Sequence, residues 1–170
     1  MPEVLTIVTY PDPILRRRAE DIEEIDRSIR DIVAAMSETM YAHHGVGLAA
    51  PQVGVSKRIV VFSPTGEKKD EKVLINPMII EHRGGMEAEE GCLSFPDIGG
   101  IVRRNSYVRI LAYDLDGNDL EITATDFLAR VLQHEIDHLD GTLFIDRMTP
   151  ESRVRAREAL KALEDAYKTP

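Results

Sequence analysis

Between residues 26 and 43, Ile29, Ile32, Val33, Met36 and Met40 recur at helical spacing and form one apolar stripe. This predicts a first helix over 26–43, stopped by Gly45. A glycine-bearing loop over 45–54 follows. After it the apolar runs shorten. Residues 58–62, 73–76 and 78–83 read as strands separated by turn signals. The charged run 66–72 between the first two reads as an exposed loop. Residues 107–114 and 119–124, joined through Asp116-Gly117-Asn118, predict a β-hairpin. A second helix is expected over 126–140, capped by Thr125 or Asp126 and ended by Gly141. A third begins at Thr149 as N-cap, with Pro150 in the first turn and Glu151 complementing the helix dipole, and runs to about residue 167. Strands and helices do not alternate regularly, so the fold class is α+β with mainly antiparallel sheet. No repeat or linker divides the chain, which predicts one domain over 1–170.

Composition narrows the function classes. Of 170 residues, 43% are hydrophobic and 30% charged, which suits a globular chain rather than a disordered one. Trp is absent and aromatics are few, so the core must rest on Leu, Ile, Val, Ala and Met. The formal net charge of −9 argues against general affinity for a nucleic-acid backbone, so no direct DNA binding is expected. The opening Met1-Pro2-Glu3-Val4 has no basic start followed by an apolar run, and no stretch approaches the ~20 apolar residues of a membrane helix. A soluble cytoplasmic protein without a membrane partner is the expectation. Cys92 is the only cysteine, so an internal disulfide is excluded, which fits a reducing compartment.

The segment Gln133-His134-Glu135-Ile136-Asp137-His138 carries the H-E-x-x-H spacing. On a helix, positions i and i+4 lie about 40° apart around the axis and one turn along it, so both imidazoles can reach one cation. Glu135 sits at the border of that face, where its carboxylate can reach a metal-bound water. On a helical wheel Phe127, Leu128, Val131, Leu132 and Leu139 share the arc of both histidines and Glu135. Arg130, Gln133, Asp137 and Asp140 fall on the opposite side. The bland alternative is a pair of ordinary histidines on a solvated helix, and the inward placement weighs against it. A catalytic metal usually takes a third protein ligand and keeps one open position. No histidine follows His138, and position 144 is Phe144. His43, His44 and His82 read as surface or structural. The candidate third ligand is Cys92, in Glu89-Glu90-Gly91-Cys92-Leu93-Ser94, a segment too short and irregular for a helix. Gly91 would let the backbone approach a ligand closely. A thiolate suits zinc or ferrous iron, whereas a lone cysteine otherwise reads as a small buried hydrophobe.

Three segments together resemble peptide deformylase of the bacterial type: Gly45-Val46-Gly47-Leu48-Ala49-Ala50-Pro51-Gln52, then Glu90-Gly91-Cys92-Leu93-Ser94, then Gln133 to His138. Asp12-Pro13-Ile14-Leu15-Arg16 resembles the family's start, so the resemblance covers nearly the whole chain. It implies antiparallel sheets packed around a central metal-binding helix, with one helix before it and one after. It implies Cys92, His134 and His138 as metal ligands and Glu135 as the acid/base. Gln52, through its side-chain amide, and the backbone N–H of Leu93 would form an oxyanion site. Val46, Gly47 and Gly91 would offer backbone groups to a substrate lying along them like an added strand. Phe127 and Val131 would help line a pocket for a methionine side chain. The implied reaction removes the formyl group from the N-terminal formylmethionine of a new polypeptide: hydroxide on the metal attacks the formyl carbon, and formate leaves. The implied cofactor is one divalent metal ion, Fe2+ in the cell, with Zn2+ or Ni2+ as purified. Some bacterial members carry an arginine a few residues after the Cys motif. Asp97-Ile98-Gly99-Gly100 stands there instead, so an arginine salt bridge near Glu90 is not carried over.

Two other readings are a zinc endopeptidase, which needs a different third ligand, and a structural metal site, which needs four protein ligands. Along the last helix Arg153, Arg157 and Lys161 make a basic stripe, and Ala156, Leu160, Leu163 and Tyr167 an apolar one. The basic stripe is either a solvated face or a contact with the ribosome.

Overall fold

The computed structural model describes residues 2–168. Met1, the first residue of the opening read above, and Thr169 and Pro170, the last of the expected 1–170 domain, lie outside the described residues.

The first helix, α1, spans Arg27–Ala42, and the Asp26 carboxylate caps it by accepting from the Ile29 N–H at 3.0 Å. Its Ile29, Val33, Met36 and Met40 are buried with Leu48, Ile59, Val61 and Ile75. The stop differs slightly from expectation. His43 is the C-cap, and His44, not Gly45, takes the left-handed conformation at φ 56°. Gly45 N–H still closes the end by donating to Met40 C=O at 2.9 Å.

Seven strands follow: β1 Gly47–Ala49, β2 Ile59–Phe62, β3 Lys72–Arg83, β4 Met86–Cys92, β5 Phe95–Arg104, β6 Tyr107–Tyr113 and β7 Asp119–Thr125. An antiparallel sheet has the order β1-β2-β3-β6-β7, and β4 pairs with β5 in a second sheet. The strands expected over 73–76 and 78–83 are one strand. Asn76, at φ 51°, sits at a register break between Ile75 and Met78, and its side chain accepts from Ile22 N–H and donates to Ile22 C=O, both at 2.8 Å. The polar interruption in the apolar pattern is thus a bulge that ties down the N-terminal segment. The expected hairpin is present as β6 and β7, with Gly117 at φ 82° in its turn.

The loop expected over 45–54 contains β1 and a 3-10 turn, Ala50–Val53. The β4–β5 pair has no counterpart among the expected strands. Its half-buried positions on β4 are Met86, Ala88, Glu90 and Cys92, and the charged Glu90 among them interrupts the apolar side of the alternation.

The second helix, α2, spans Asp126–Leu139. Thr125 precedes it but makes no side-chain cap bond, contrary to expectation. Ala129, Leu132, Ile136 and Leu139 bury against Val60, Phe62, Leu74, Val108 and Ile110 of the five-stranded sheet. Each fully buried Leu or Val side chain among them contributes roughly 1.5–3 kcal/mol relative to exposure. The face of α2 assigned to solvent is also buried. Arg130, Gln133 and Asp137 are 5%, 7% and 9% exposed, because the β4–β5 hairpin and the segment after α2 cover them with polar partners. Only Asp140 of that set is exposed. Phe127, placed inward by the wheel, is 62% exposed at the helix's first turn. Past Gly141, at φ 74°, comes the last helix, α3, Pro150–Lys168. Thr149 caps it as expected, its hydroxyl accepting from Ser152 N–H at 3.3 Å. Ala156 and Leu160 of α3 bury with Phe95, Ile98 and Val102 of β5 and with Phe144 and Ile145. The result is the α+β fold expected, with α2 at the centre of two antiparallel sheets.

Candidate metal centre

Two candidate ligands come from one turn of α2. His134 and His138 lie with ring centroids 5.1 Å apart. The third comes from the hairpin. Cys92 ends β4, at a register shift after Gly91, and its Sγ is 3.4 Å from His138 Nε2. One donor atom from each of Cys92, His134 and His138 falls within 4.8 Å of the others.

Electrostatics favour a cation among them. His134 Nδ1 is 3.0 Å from Glu90 Oε1. Burial raises the Glu90 carboxyl, but hydrogen bonds from His134 and Arg104 outweigh it and hold Glu90 down at about 2. A permanent carboxylate there accepts the Nδ1–H and leaves Nε2 for a ligand, the carboxylate–histidine arrangement common at metal sites. Burial opposes charge on His134. The Cys92 sulfur, followed by Glu90 and Glu135, overcomes it and pushes His134 up to about 10. At His134 itself, then, positive charge is stabilised, and a metal ion on Nε2 would supply it in place of a proton. Burial, reinforced by His134 and Arg104, pushes His138 well below its ordinary value, so it is a neutral imidazole suited to ligation.

Burial pushes the Glu135 carboxyl up to about 7. Its Oε1 is buried and has no hydrogen-bond partner among the described residues. A buried carboxylate oxygen left so costs several kcal/mol unless a ligand, ion or water reaches it. Gly47 explains how a strand comes this near: a Cβ there would lie 2.7 Å from Glu135 Oε2 and 3.1 Å from Val131 Cγ1. Three N and S donors around one point, the Glu90 carboxylate on His134 and an orphaned carboxylate oxygen together fit a divalent metal with an open position.

The model of the family described as Polypeptide deformylase matches residues 4–154. The chain belongs to the polypeptide deformylase family. Peptide deformylase of Thermodesulfovibrio yellowstonii is 46% identical over 160 residues, spanning 93% of this chain and 97% of that protein. A crystal structure of a peptide deformylase from Legionella pneumophila superposes with a TM-score of 0.89 at 41% identity, covering 98% of this chain and 99% of that one. That of Arabidopsis thaliana peptide deformylase 1B in complex with an inhibitor gives 0.93 at 44% identity, covering 96% and 92%.

Beside the ligands a cleft of about 1140 Å³ opens, and ten of the expected deformylase site residues line it. These are Val46, Gly47, Gln52, Gly91, Cys92, Leu93, Phe127, Val131, His134 and Glu135. His138 lies beneath, at 1% exposure. His44, read from sequence as surface or structural, also lines the cleft. Gln52 stands on the 3-10 turn after β1. Its Oε1 accepts from Ala49 N–H at 3.0 Å, which aims Nε2 at Cys92 Sγ, 3.6 Å away, and at Ser94 Oγ, 3.4 Å away. β1 pairs only with β2, and β4 only with β5, so each presents an unpaired strand edge. The carbonyl of Val46 already accepts from Ser63 N–H at 2.9 Å.

Sequence reasoning missed the charged network behind the deformylase ligands. Arg104 donates to Glu90 through Nε and Nη2 and to Asp137 through Nη1, and Arg130 donates to Glu90 at 2.6 Å. Arg147 donates to both oxygens of Asp137, sharing Oδ2 with Arg104. An arginine pair to Glu90 thus exists after all, supplied by β5 and α2 rather than by the segment after the Cys motif. Glu90 and Asp137 stand inside the recognised motifs and could have flagged a network. Their arginine partners lie far along the chain with no local signature.

Proposed function

We propose that Cys92, His134 and His138 hold one divalent metal ion and that Glu135 moves the protons in the hydrolysis this family performs. That reaction removes the formyl group from the N-terminal formylmethionine of new polypeptides and releases formate. The chain is a metal-dependent hydrolase of this kind. The observation that supports the assignment best is the convergence of the three donor atoms within 4.8 Å beside the orphaned Glu135 carboxylate.

A metal held there supplies Lewis acidity and brings the ionisation of water toward neutral pH. Glu135, deprotonated at the start, takes the proton of the attacking water at its buried carboxylate. It later gives that proton to the leaving amine nitrogen. The Gln52 Nε2–H and the Leu93 N–H donate to the oxygen on which negative charge develops. Losing one such donor typically costs about 10²–10³ in rate. The substrate backbone lies between the strand edges of β1 and β4, along Val46, Gly47 and Gly91. Phe127 and Val131 flank its methionine side chain. Ferrous iron is the proposed metal in the cell, with zinc or nickel replacing it during purification.

Residues 1–170 act as one catalytic domain in this reading, which predicts a single cooperative unfolding transition; two would contradict it. No helix among the described residues is long and apolar enough to cross a membrane. A cytoplasmic site of action, with ribosome contact through Arg153, Arg157 and Lys161, would place the enzyme near its substrates. Those three residues are exposed on α3 and border a hollow of about 640 Å³ with Tyr10 and Arg16. Charge reversal there with unchanged ribosome association would exclude the contact.

The reaction is tested by formate release from a formyl-Met peptide, using anaerobically iron-loaded enzyme and a Glu135→Ala control. Release by the wild type, and metal retention without turnover in the control, are expected. Cleavage of unformylated peptides without formate release would overturn the proposal.

A further inference from the structure

We infer that Arg130 is a positioning residue that clamps the hairpin carrying Cys92 onto the helix carrying His134 and His138. The inference rests on the reading that these three residues hold the metal. Arg130 is 5% exposed and sits one turn before His134 on α2. Its guanidinium reaches three acceptors on the hairpin. Nη1 donates to Val102 C=O at 3.4 Å, and Nη2 donates to Ala88 C=O at 3.0 Å and to Glu90 Oε2 at 2.6 Å. Ala88 and Val102 are directly opposed residues of β4 and β5, so one side chain of α2 grips both strands at a single rung.

Glu90 completes the clamp. Its Oε2 takes Arg130 while its Oε1 takes His134 Nδ1, so one carboxylate spans a full turn of α2. Two residues further along β4, the same strand delivers Cys92. The distance from Cys92 Sγ to the imidazoles is therefore set by how the hairpin seats on α2, and Arg130 defines that seat. Arg104 cannot substitute for it. Arg104 belongs to β5, so its bonds to Glu90 lie within the hairpin, and its one bond to α2 among the described residues is the Nη1 contact with Asp137. Lysine cannot substitute either. A planar fork reaches two carbonyls and a carboxylate at once, whereas an ammonium on a flexible stem does not.

A buried ion pair is weak ground for claiming stability, and apolar replacements of similar size are often neutral. Metal affinity and ligand geometry are the discriminating readouts. Co2+ is loaded into the wild type, Arg130→Met, Arg130→Lys, Glu90→Gln and the Arg130→Met/Glu90→Gln double variant. Affinity is read by chelator competition, ligand geometry by the visible absorption bands, and folding by thermal unfolding of the metal-free proteins. Arg130→Met should weaken Co2+ binding about 10–100-fold, the usual range for losing a group that orients a ligand, and should shift the bands. Arg130→Lys should fall between it and the wild type. In the Glu90→Gln background the added effect of Arg130→Met should be smaller, because the carboxylate that joins Arg130 to His134 is already altered while the two carbonyl contacts remain. Wild-type affinity and bands in Arg130→Met, with only a lower unfolding temperature, would overturn the inference. So would an undiminished effect in the Glu90→Gln background. Should Arg130→Met not fold, unchanged affinity and bands in Arg130→Lys would overturn it alone. Failure of the wild type to bind Co2+ would instead count against the metal-ligand reading.

Discussion

At the scale of single residues, the active centre depends on what is missing as much as on what is present. Gly47 has no side chain, and this lets β1 lie against Glu135. Gly47→Ala would put a methyl group 2.7 Å from Glu135 Oε2 and 3.0 Å from its Cγ, so the carboxylate must move. Overpacking of this kind costs about 1–3 kcal/mol. The larger expected effect is catalytic: kcat should fall at least about tenfold with metal content unchanged, because a displaced acid/base loses its alignment. Unaltered kcat in a folded, metal-loaded variant would show that Glu135 has slack. At this scale the sequence was highly legible. Cys92, His134, Glu135 and His138 stand in segments whose spacing reflects the chemistry. Arg130 and Arg104 were illegible, because an arginine that binds a carboxylate from another element leaves no trace in its own neighbours.

At the scale of elements, helix α2 shows where periodicity misleads. A wheel sorts polar from apolar side chains and equates polar with solvated. α2 violates that equation because the hairpin covers its polar face with arginines and amides. Gln133 is the plainest case. Its Oε1 accepts from Asn105 N–H at 3.0 Å, and its Nε2 donates to Asn105 C=O and Ala129 C=O, both at 2.8 Å. The side chain thereby replaces a strand neighbour for the backbone between β5 and β6. Gln133→Ala would strip these groups of their partner, so unfolding free energy should drop by about 1–3 kcal/mol in denaturant titration. An unchanged midpoint would mean that water replaces the amide at no cost. The same logic explains the strands that periodicity overlooked. β4 half-buries Met86, Ala88, Glu90 and Cys92, with a charged residue on its inward side, while α1 and the β6–β7 hairpin bury aliphatic side chains and were readable.

At the scale of the whole molecule, long-range ties hold the N-terminal segment to the region after α2. Arg16 donates to Asp146 through Nη1 and Nη2, and Asp146 also accepts from Leu143 N–H at 2.9 Å. Burial raises the Asp146 carboxyl, but the Arg16 hydrogen bond and the Leu143 N–H outweigh it, leaving it below its ordinary value. A carboxyl depressed in the folded state contributes stability that is present above its unfolded pKa, near 4, and lost as pH falls through the folded value. Asp146→Asn should therefore be less stable than the wild type at pH 7, with the gap closing below about pH 4 in thermal melts. The pair is partly exposed, so the effect should be modest and shrink with salt. The division of the proposed metal ligands between two pieces of architecture has a further consequence. Cys92 arrives on a two-stranded hairpin that shares no ladder with the main sheet, whereas both histidines sit on the helix at its core. A cation held at the proposed site would be a rivet between a subsidiary flap and the main body. Pulling it out should let the flap breathe before anything else does, so amide exchange would quicken first along residues 86–104 while the five-stranded sheet keeps its protection.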